Sequence, residues 1–224
     1  MKTPITRKAL RQHLLYNSWK YILLIIIGCF GWNLAFTMTA YRSPDDKIVN
    51  VSVYGSSDVE QLQTYLDGLH ATELTDMEQV EAMAITNDST YGSMILMAHL
   101  AANEVDIILL PKASFQSYAA EGYFLPLEEC EGIMAEVNAA GLNLERGMYR
   151  NSETGEKHTY GIPLSLLPGL RELLVIPDGE YVISIMANNG NDDYVRPTLA
   201  YMIRDFAQKA ETGDAAVATE TELP

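Results

Sequence analysis

The sequence predicts an α/β domain with a parallel-sheet core, carried behind one membrane-spanning helix. Three observations lead there. Tyr21 to Ala40 (YILLIIIGCFGWNLAFTMTA) is free of charge. Beyond it, three strand-like stretches alternate with three helix-like stretches over roughly 75 residues, the pattern of parallel strands joined by crossover helices. The third of those strands, Val105 to Leu110 (VDIILL), is nearly continuous in apolar residues, as a strand covered on both faces should be.

The apolar stretch comes first in the chain. As a helix at about 1.5 Å per residue it reaches roughly 30 Å, the thickness of a bilayer's hydrocarbon core. Trp19, Tyr21, Trp32 and Tyr41 lie at or near its ends, where amphipathic rings favour a membrane interface. Lys2, Arg7, Lys8, Arg11 and Lys20 precede it and no acid occurs before Asp45. Basic residues are retained in the cytoplasm, so residues 1–20 are expected inside, 21–41 to span, and the rest to face outward.

Two other readings share that orientation. Thr37 to Ala40 (TMTA) offers a fair cleavage site for a secretory signal. Ile26, Ile27, Gly28 and Cys29 resemble a bacterial lipobox, although Phe30 to Phe36 stay apolar where a lipoprotein normally turns polar. The uncleaved signal anchor is the reading carried forward.

Charge separates the two sides. The chain has 224 residues with 15 basic and 30 acidic ones; from Asp45 onward there are 9 basic against all 30 acids, a balance of −21. Such a surface repels phosphate backbones and disfavours anionic lipid, which excludes nucleic acid as a partner. Cys130 is the one cysteine in this part, so no internal disulfide forms there, and the domain must rely on its core.

Residues 42–47 form a polar stalk, and residues 48–210 the exterior domain. Ile48 to Tyr54 (IVNVSVY) alternates and is valine-rich, a strand; Ser57 with Glu60 matches a capping box, and Val59, Leu62, Leu66 and Leu69 follow at helical spacing. Gln79 to Thr86 is the second strand, with Asn87 to Ser89 as its turn. Tyr91 to Ala102 reads as a largely buried helix ended by Asn103. After the third strand, Ala113 to Glu121 is a helix capped by Gly122.

The second half mixes elements. Glu128 to Ala140 is expected to be helical. Met148 to Arg150 and His158 to Pro163 form a hairpin, and Glu172 to Ile176 with Tyr181 to Ala187 a second one about Pro177-Asp178-Gly179. Asn191 to Asp193 cap a last helix with Pro197 near its first turn, Leu199, Met202, Ile203, Phe206 and Ala210 giving its apolar face. Residues 211–224 are acidic, rich in small residues and expected to be disordered.

Catalytic and metal constellations are missing from this pattern. His13, His70, His99 and His158 are scattered, and no nucleophile elbow, phosphate loop or dinucleotide fingerprint occurs. Neither an enzyme nor a cofactor is expected. In open parallel sheets ligands bind outside the carboxyl ends of the strands. Those ends place Tyr54, Ser56, Ser57, Asn87, Asp88 and Lys112 as candidate ligand-binding residues: a ring to stack, hydroxyls and an ammonium to donate, and side-chain oxygens to accept.

Val105 to Glu129 (VDIILLPKASFQSYAAEGYFLPLEE) resembles a passage in bacterial extracellular solute-binding proteins of ABC importers, a periplasmic-binding-protein-like family. His158 to Ser165 (HTYGIPLS) is similar to that family's Tyr-Gly-Ile-Pro strand, and Ile183 to Phe206 to its strand-to-helix passage ending in asparagine. The resemblance implies non-catalytic capture of a small solute such as a sugar, amino acid or peptide, an ABC transporter permease or other envelope protein as partner, and Tyr160 as a further ligand-binding residue. Family members have two lobes, whereas too few residues follow Pro163 for a second one, so it implies a single lobe. The competing expectation is a ligand-free interaction module of the cell envelope.

Overall fold

The computed structural model describes residues 17–39, 44–86, 91–152, 155–187 and 190–220, and divides the chain into two units, residues 1–42 and 43–224. The first unit holds helix α1 (Ser18–Thr39), none of whose side chains is buried. Among the described residues it is the one helix long and apolar enough to cross a membrane. Near its end, Thr37 and Thr39 turn their hydroxyls back to the carbonyls of Asn33 and Ala35, 2.8 and 2.7 Å away. Those bonds satisfy both hydroxyls within the helix itself.

The second unit is built on a five-stranded sheet. Strands β1 (Ile48–Tyr54), β2 (Gln79–Ile85) and β3 (Ile107–Pro111) are parallel; β7 (Tyr181–Ile185) and the short β6 (Ile162–Pro163) are antiparallel, in the order β2-β1-β3-β7-β6. Val51 registers with Ala82 on one side and Ile107 on the other, and Ile107 with Ile185. The parallel core expected from the alternation is therefore present. A separate pair, β4 (Met148–Arg150) and β5 (Lys157–Thr159), forms the first expected hairpin in part: its second arm stops at Thr159, and Ile162–Pro163 joins the main sheet instead.

Because successive strand residues point to opposite faces, the sheet divides the core in two. Val49, Val51, Val53, Ile107, Leu109, Ile183 and Ile185 pack against α2 (Glu60–Thr72), α5 (Glu131–Ala139), α6 (Pro168–Glu172) and α7 (Asp192–Glu220). Tyr54, Ile108, Leu110 and Val182 pack on the other side against α3 (Gly92–Ala101) and α4 (Lys112–Ala120). The result is helix, sheet, helix, with Phe115 and Phe206 fully buried on opposite faces.

Several expectations are corrected. The Ser57–Glu60 capping box does not form: Val59 precedes the helix without a side-chain cap, and Asp58 Oδ1 accepts from the Glu60 N–H at 2.9 Å instead. The second hairpin is absent. Pro168 starts a helical turn that runs to Glu172, residues 173–180 form no strand, and β7 takes β3 and β6 as neighbours. Helix α3 is not largely buried, since only Gly92 and Leu96 are covered while Tyr91, Met94, Ile95 and Met97 are exposed. Pro197 lies directly after the first turn of α7, near where it is expected. That helix runs from Asp192 to Glu220.

Gly122, with φ of 78°, ends α4 as its position in the sequence suggests, because glycine enters the left-handed region without a Cβ clash. The outer edge of β2 is covered in an unplanned way. The Gln63 amide on α2 donates to the Val80 carbonyl at 3.0 Å and accepts from the Ala82 N–H at 2.6 Å, standing in for a neighbouring strand.

Candidate functional site

The carboxyl end of β3 meets the start of β7, where Pro111 registers with Tyr181. One residue on, the Lys112 N–H donates to the Glu180 carbonyl at 2.9 Å. Beside this junction lies a cleft of about 350 Å³. Its apolar lining is Pro163, Leu164, Pro168 and Val182, and its charged groups are Lys112, Arg146, Arg171, Asp178 and Glu180. Three of the nine basic residues from Asp45 onward thus gather at one place on an acidic domain.

Backbone packing holds these groups in position. Arg146 precedes Gly147, whose Cα lies so close to the Gly161 carbonyl that a Cβ there would stand 1.8 Å from the oxygen. The Tyr160 N–H donates to the Gly147 carbonyl at 3.0 Å, fixing the Arg146 turn against the segment that carries Pro163 and Leu164. Gly161 in turn lies on β7: a Cβ there would meet Val182 Cγ1 at 2.5 Å and Ser184 Oγ at 2.6 Å. Only glycines permit this stack of three backbones.

The electrostatics follow from the pairs. Lys112 Nζ donates to Glu180 Oε2, and Arg146 Nη1 stands 3.6 Å from Oε1 of the same carboxylate. The bonded Lys112 ammonium holds the Glu180 carboxyl below the usual carboxylate range, with Arg146 adding to the effect. Arg171 Nη2 faces Asp178 Oδ1 at 3.5 Å. Burial pushes the Tyr181 phenol up, while the nearby Arg171 pulls it down.

Of the residues the sequence proposes, Lys112 is among those lining this cleft. Tyr54 ends β1 and lies in the core beneath α3 and α4. Ser56 is buried, and its hydroxyl donates to the Asp58 carbonyl at 2.6 Å and the Val175 carbonyl at 3.2 Å. Ser57 is exposed, its N–H donating to Val175 O at 3.2 Å. Tyr160 is buried on the α3–α4 side of the sheet, edge-on to His158. Asn87 and Asp88 lie outside the described residues.

Arg146, Arg171 and Glu180, together with the exposed Ser165 that also lines the cleft, lie outside the residues the sequence proposes. A usable signal existed in the scarcity of basic residues on this domain, since each remaining one has few competitors for a role. Among the described residues no group of three or more His, Cys, Asp and Glu is placed to hold a metal.

No protein-family model matches the chain, and no curated protein matches it. Several solved structures give partial likenesses, three of them as follows. An extracellular solute-binding protein family 1 member from Alicyclobacillus acidocaldarius is 18% identical over 52% of this chain and 27% of its own, with a TM-score of 0.35. An ABC substrate-binding protein from Listeria monocytogenes, in complex with cycloalternan, is 14% identical over 52% and 28%, with a TM-score of 0.39. An ABC transporter solute binding protein from Agrobacterium vitis, with bound D-mannitol, is 12% identical over 52% and 27%, with a TM-score of 0.30. The chain thus spans little more than a quarter of the length of these proteins.

Proposed function

We propose that this chain is a membrane-anchored binding domain, displayed on the outer side of a bacterial cell, that holds a small solute without transforming it. The observation that carries the reading is the cleft at the carboxyl end of β3, where an apolar floor meets five charged side chains. That is the place where open α/β sheets bind ligands, and the lining is of the kind that orients a small molecule. The span and its basic flank support the outward placement of residues 48–210.

Binding is favoured over catalysis by the chemistry of the lining. It contains neither histidine nor cysteine. A general base works best with a pKa near the operating pH, and Glu180 is held in the opposite direction. Presentation of the solute to an ABC transporter permease is the finer form of the proposal, and it draws on the sequence resemblance of Val105 to Glu129 and His158 to Ser165.

One observation favours the second reading, an interaction module. Tyr91, Met94, Ile95 and Met97 leave α3 apolar and exposed. Thermal denaturation of the full chain in detergent, against sugars, amino acids and short peptides, separates the two. Saturation at about a hundred times Kd adds roughly 2.7 kcal/mol, and Ser165→Trp at the cleft rim should abolish that gain. If no solute stabilises the chain while a membrane protein co-purifies with it, the module replaces the binder. A C-terminal phosphatase fusion inactive in whole cells would overturn the outward placement.

A further inference from the structure

Two of the cleft's three cations converge on one carboxylate. Lys112 donates to Glu180 Oε2, and Arg146 approaches Oε1 from 3.6 Å, beyond hydrogen-bond distance. Among the described residues the Arg146 side chain makes no hydrogen bond, and it is 69% exposed at the cleft mouth. Arg171 is differently engaged, with both terminal nitrogens directed to the Pro177 carbonyl at 3.5 and 3.4 Å and with Asp178 beside it. Glu180 sits on the turn leading into β7 and is 56% exposed, so nothing buries it in place.

We propose, building on the binding reading above, that the solute is a small carboxylate with an apolar body, and that its carboxylate takes the place between Lys112 and Arg146 that Glu180 fills. Glu180 is then a built-in competitor: a side chain of the same chemistry as the ligand occupies the anion position until the ligand displaces it. The guanidinium offers a planar fork that matches a carboxylate with two parallel bonds, which a 3.6 Å approach to Glu180 does not use.

The lining argues against the other solute classes. A sugar would be expected to stack between aromatic faces, and the lining holds one aromatic side chain, Tyr181. A cation would find both acids already facing bases, with Lys112, Arg146 and Arg171 outnumbering Asp178 and Glu180. An apolar body has Pro163, Leu164, Pro168 and Val182 to lie on. A second hollow of about 320 Å³ adjoins across Arg146, Pro163 and Ser165; it adds Glu145 and no further base, so the anionic end belongs on the Lys112 side.

The test uses the full chain in nanodiscs of uncharged phosphatidylcholine, with ligand-observed NMR titration of N-acetyl-leucine and of its neutral amide. The acid should bind at least tenfold more tightly than the amide. Arg146→Gln should weaken the acid at least tenfold and leave the amide unchanged. Glu180→Gln, which removes the internal competitor, should tighten the acid several-fold. If acid and amide bind equally, or if Glu180→Gln weakens the acid, the carboxylate assignment falls while the cleft remains a binding site, provided Ser165→Trp blocks both. Inorganic phosphate displacing N-acetyl-leucine at equal concentration would also overturn it, in favour of a phosphate-bearing solute. Absence of binding by either probe, in the wild type and in Glu180→Gln alike, would overturn the assignment, whereas the broader binding reading falls only if sugars and peptides also fail.

Discussion

Asn191 Nδ2 donates to Asp106 Oδ1 at 2.8 Å, and the same nitrogen donates to the Ile48 carbonyl at 2.7 Å. Asp106 Oδ2 accepts from the Asn50 N–H at 2.7 Å. The first residue before α7 is thereby tied to the amino ends of β1 and β3, at the opposite end of β3 from the cleft. Asp106 is buried, so its removal leaves one of the two Asn191 amide hydrogens and the Asn50 N–H without their acceptor, while the Ile48 carbonyl keeps the other amide hydrogen.

Each orphaned donor costs about 1–3 kcal/mol, so Asp106→Ala is expected to lower unfolding free energy by about 3 kcal/mol or more. Asp106→Asn, which keeps one acceptor and the shape, should lose less. Asn191→Asp places a second carboxyl beside the first, and its penalty should be larger at pH 7 than at pH 4. Denaturant titrations at both pH values measure this; equal penalties for the three variants would refute the network.

The glycine stack under Arg146 makes a second prediction. A Cβ at Gly147 meets a backbone oxygen at 1.8 Å, whereas at Gly161 its nearest neighbours are the Val182 and Ser184 side chains at 2.5 and 2.6 Å. Backbone yields less readily than side chains. Both alanine variants should therefore be destabilised by about 1–3 kcal/mol or more, Gly147→Ala the worse. Gly147→Ala should also weaken solute binding, because it displaces the turn that carries Arg146. An unchanged denaturation midpoint in both would show that the contact is looser than described.

What could be read in the sequence was local. β1, β2 and β3 each carry their own signal in seven or fewer residues, and the crossover rule then makes them parallel neighbours. The failures were non-local. Glu172 to Ile176 looks like half of a hairpin because Pro177-Asp178-Gly179 is a good turn, but the preceding residues are set by Pro168 and Gly169, which begin a helical turn. β7 finds its partners far away in the chain. The same holds for the cleft. Lys112 is legible because it directly follows β3, whereas Arg146, Arg171 and Glu180 reach it only through the placement of β7 and β6 beside β3.

The apolar composition of α3 suggests a buried helix, but composition cannot say how many of its sides are covered. The structure covers one, through Leu96. Leu96→Ala should therefore cost about 2–5 kcal/mol. Met94→Gln and Met97→Gln, on the exposed side, should change stability by about 0.5 kcal/mol or less. If α3 serves as a docking face, the paired glutamine variant should lower self-association or partner capture in light scattering at unchanged stability. A large stability loss from the exposed pair would mean that α3 is packed differently.

Stability should fall on the alkaline side, and the direction follows from burial. Cys130 is buried, and burial pushes its thiol above the ordinary 9.0, with Arg196 pulling the other way. Tyr65, Tyr118 and Tyr181 are raised above the ordinary 10.0 for the same first reason, and Tyr65 also donates to Asp205 Oδ2 at 2.9 Å. These groups lose a proton when charged, so above the ordinary values the unfolded chain ionises while the folded chain resists. The unfolded state then binds fewer protons, and stability drops as pH rises. The contribution is fully present below about pH 9 and is lost as pH climbs towards the raised native values. The denaturation midpoint should be level between about pH 7 and 8.5 and decline beyond it. Tyr65→Phe should flatten part of that decline while losing about 0.5–1.5 kcal/mol at neutral pH with the Asp205 bond. Thiol labelling gives an independent reading: in a Cys29→Ser background, Cys130 should react with a water-soluble disulfide reagent at pH 8 only at the rate of unfolding. Prompt labelling of the native chain would show that the Cys130 site is open to solvent, and the alkaline argument for that group would fail with it.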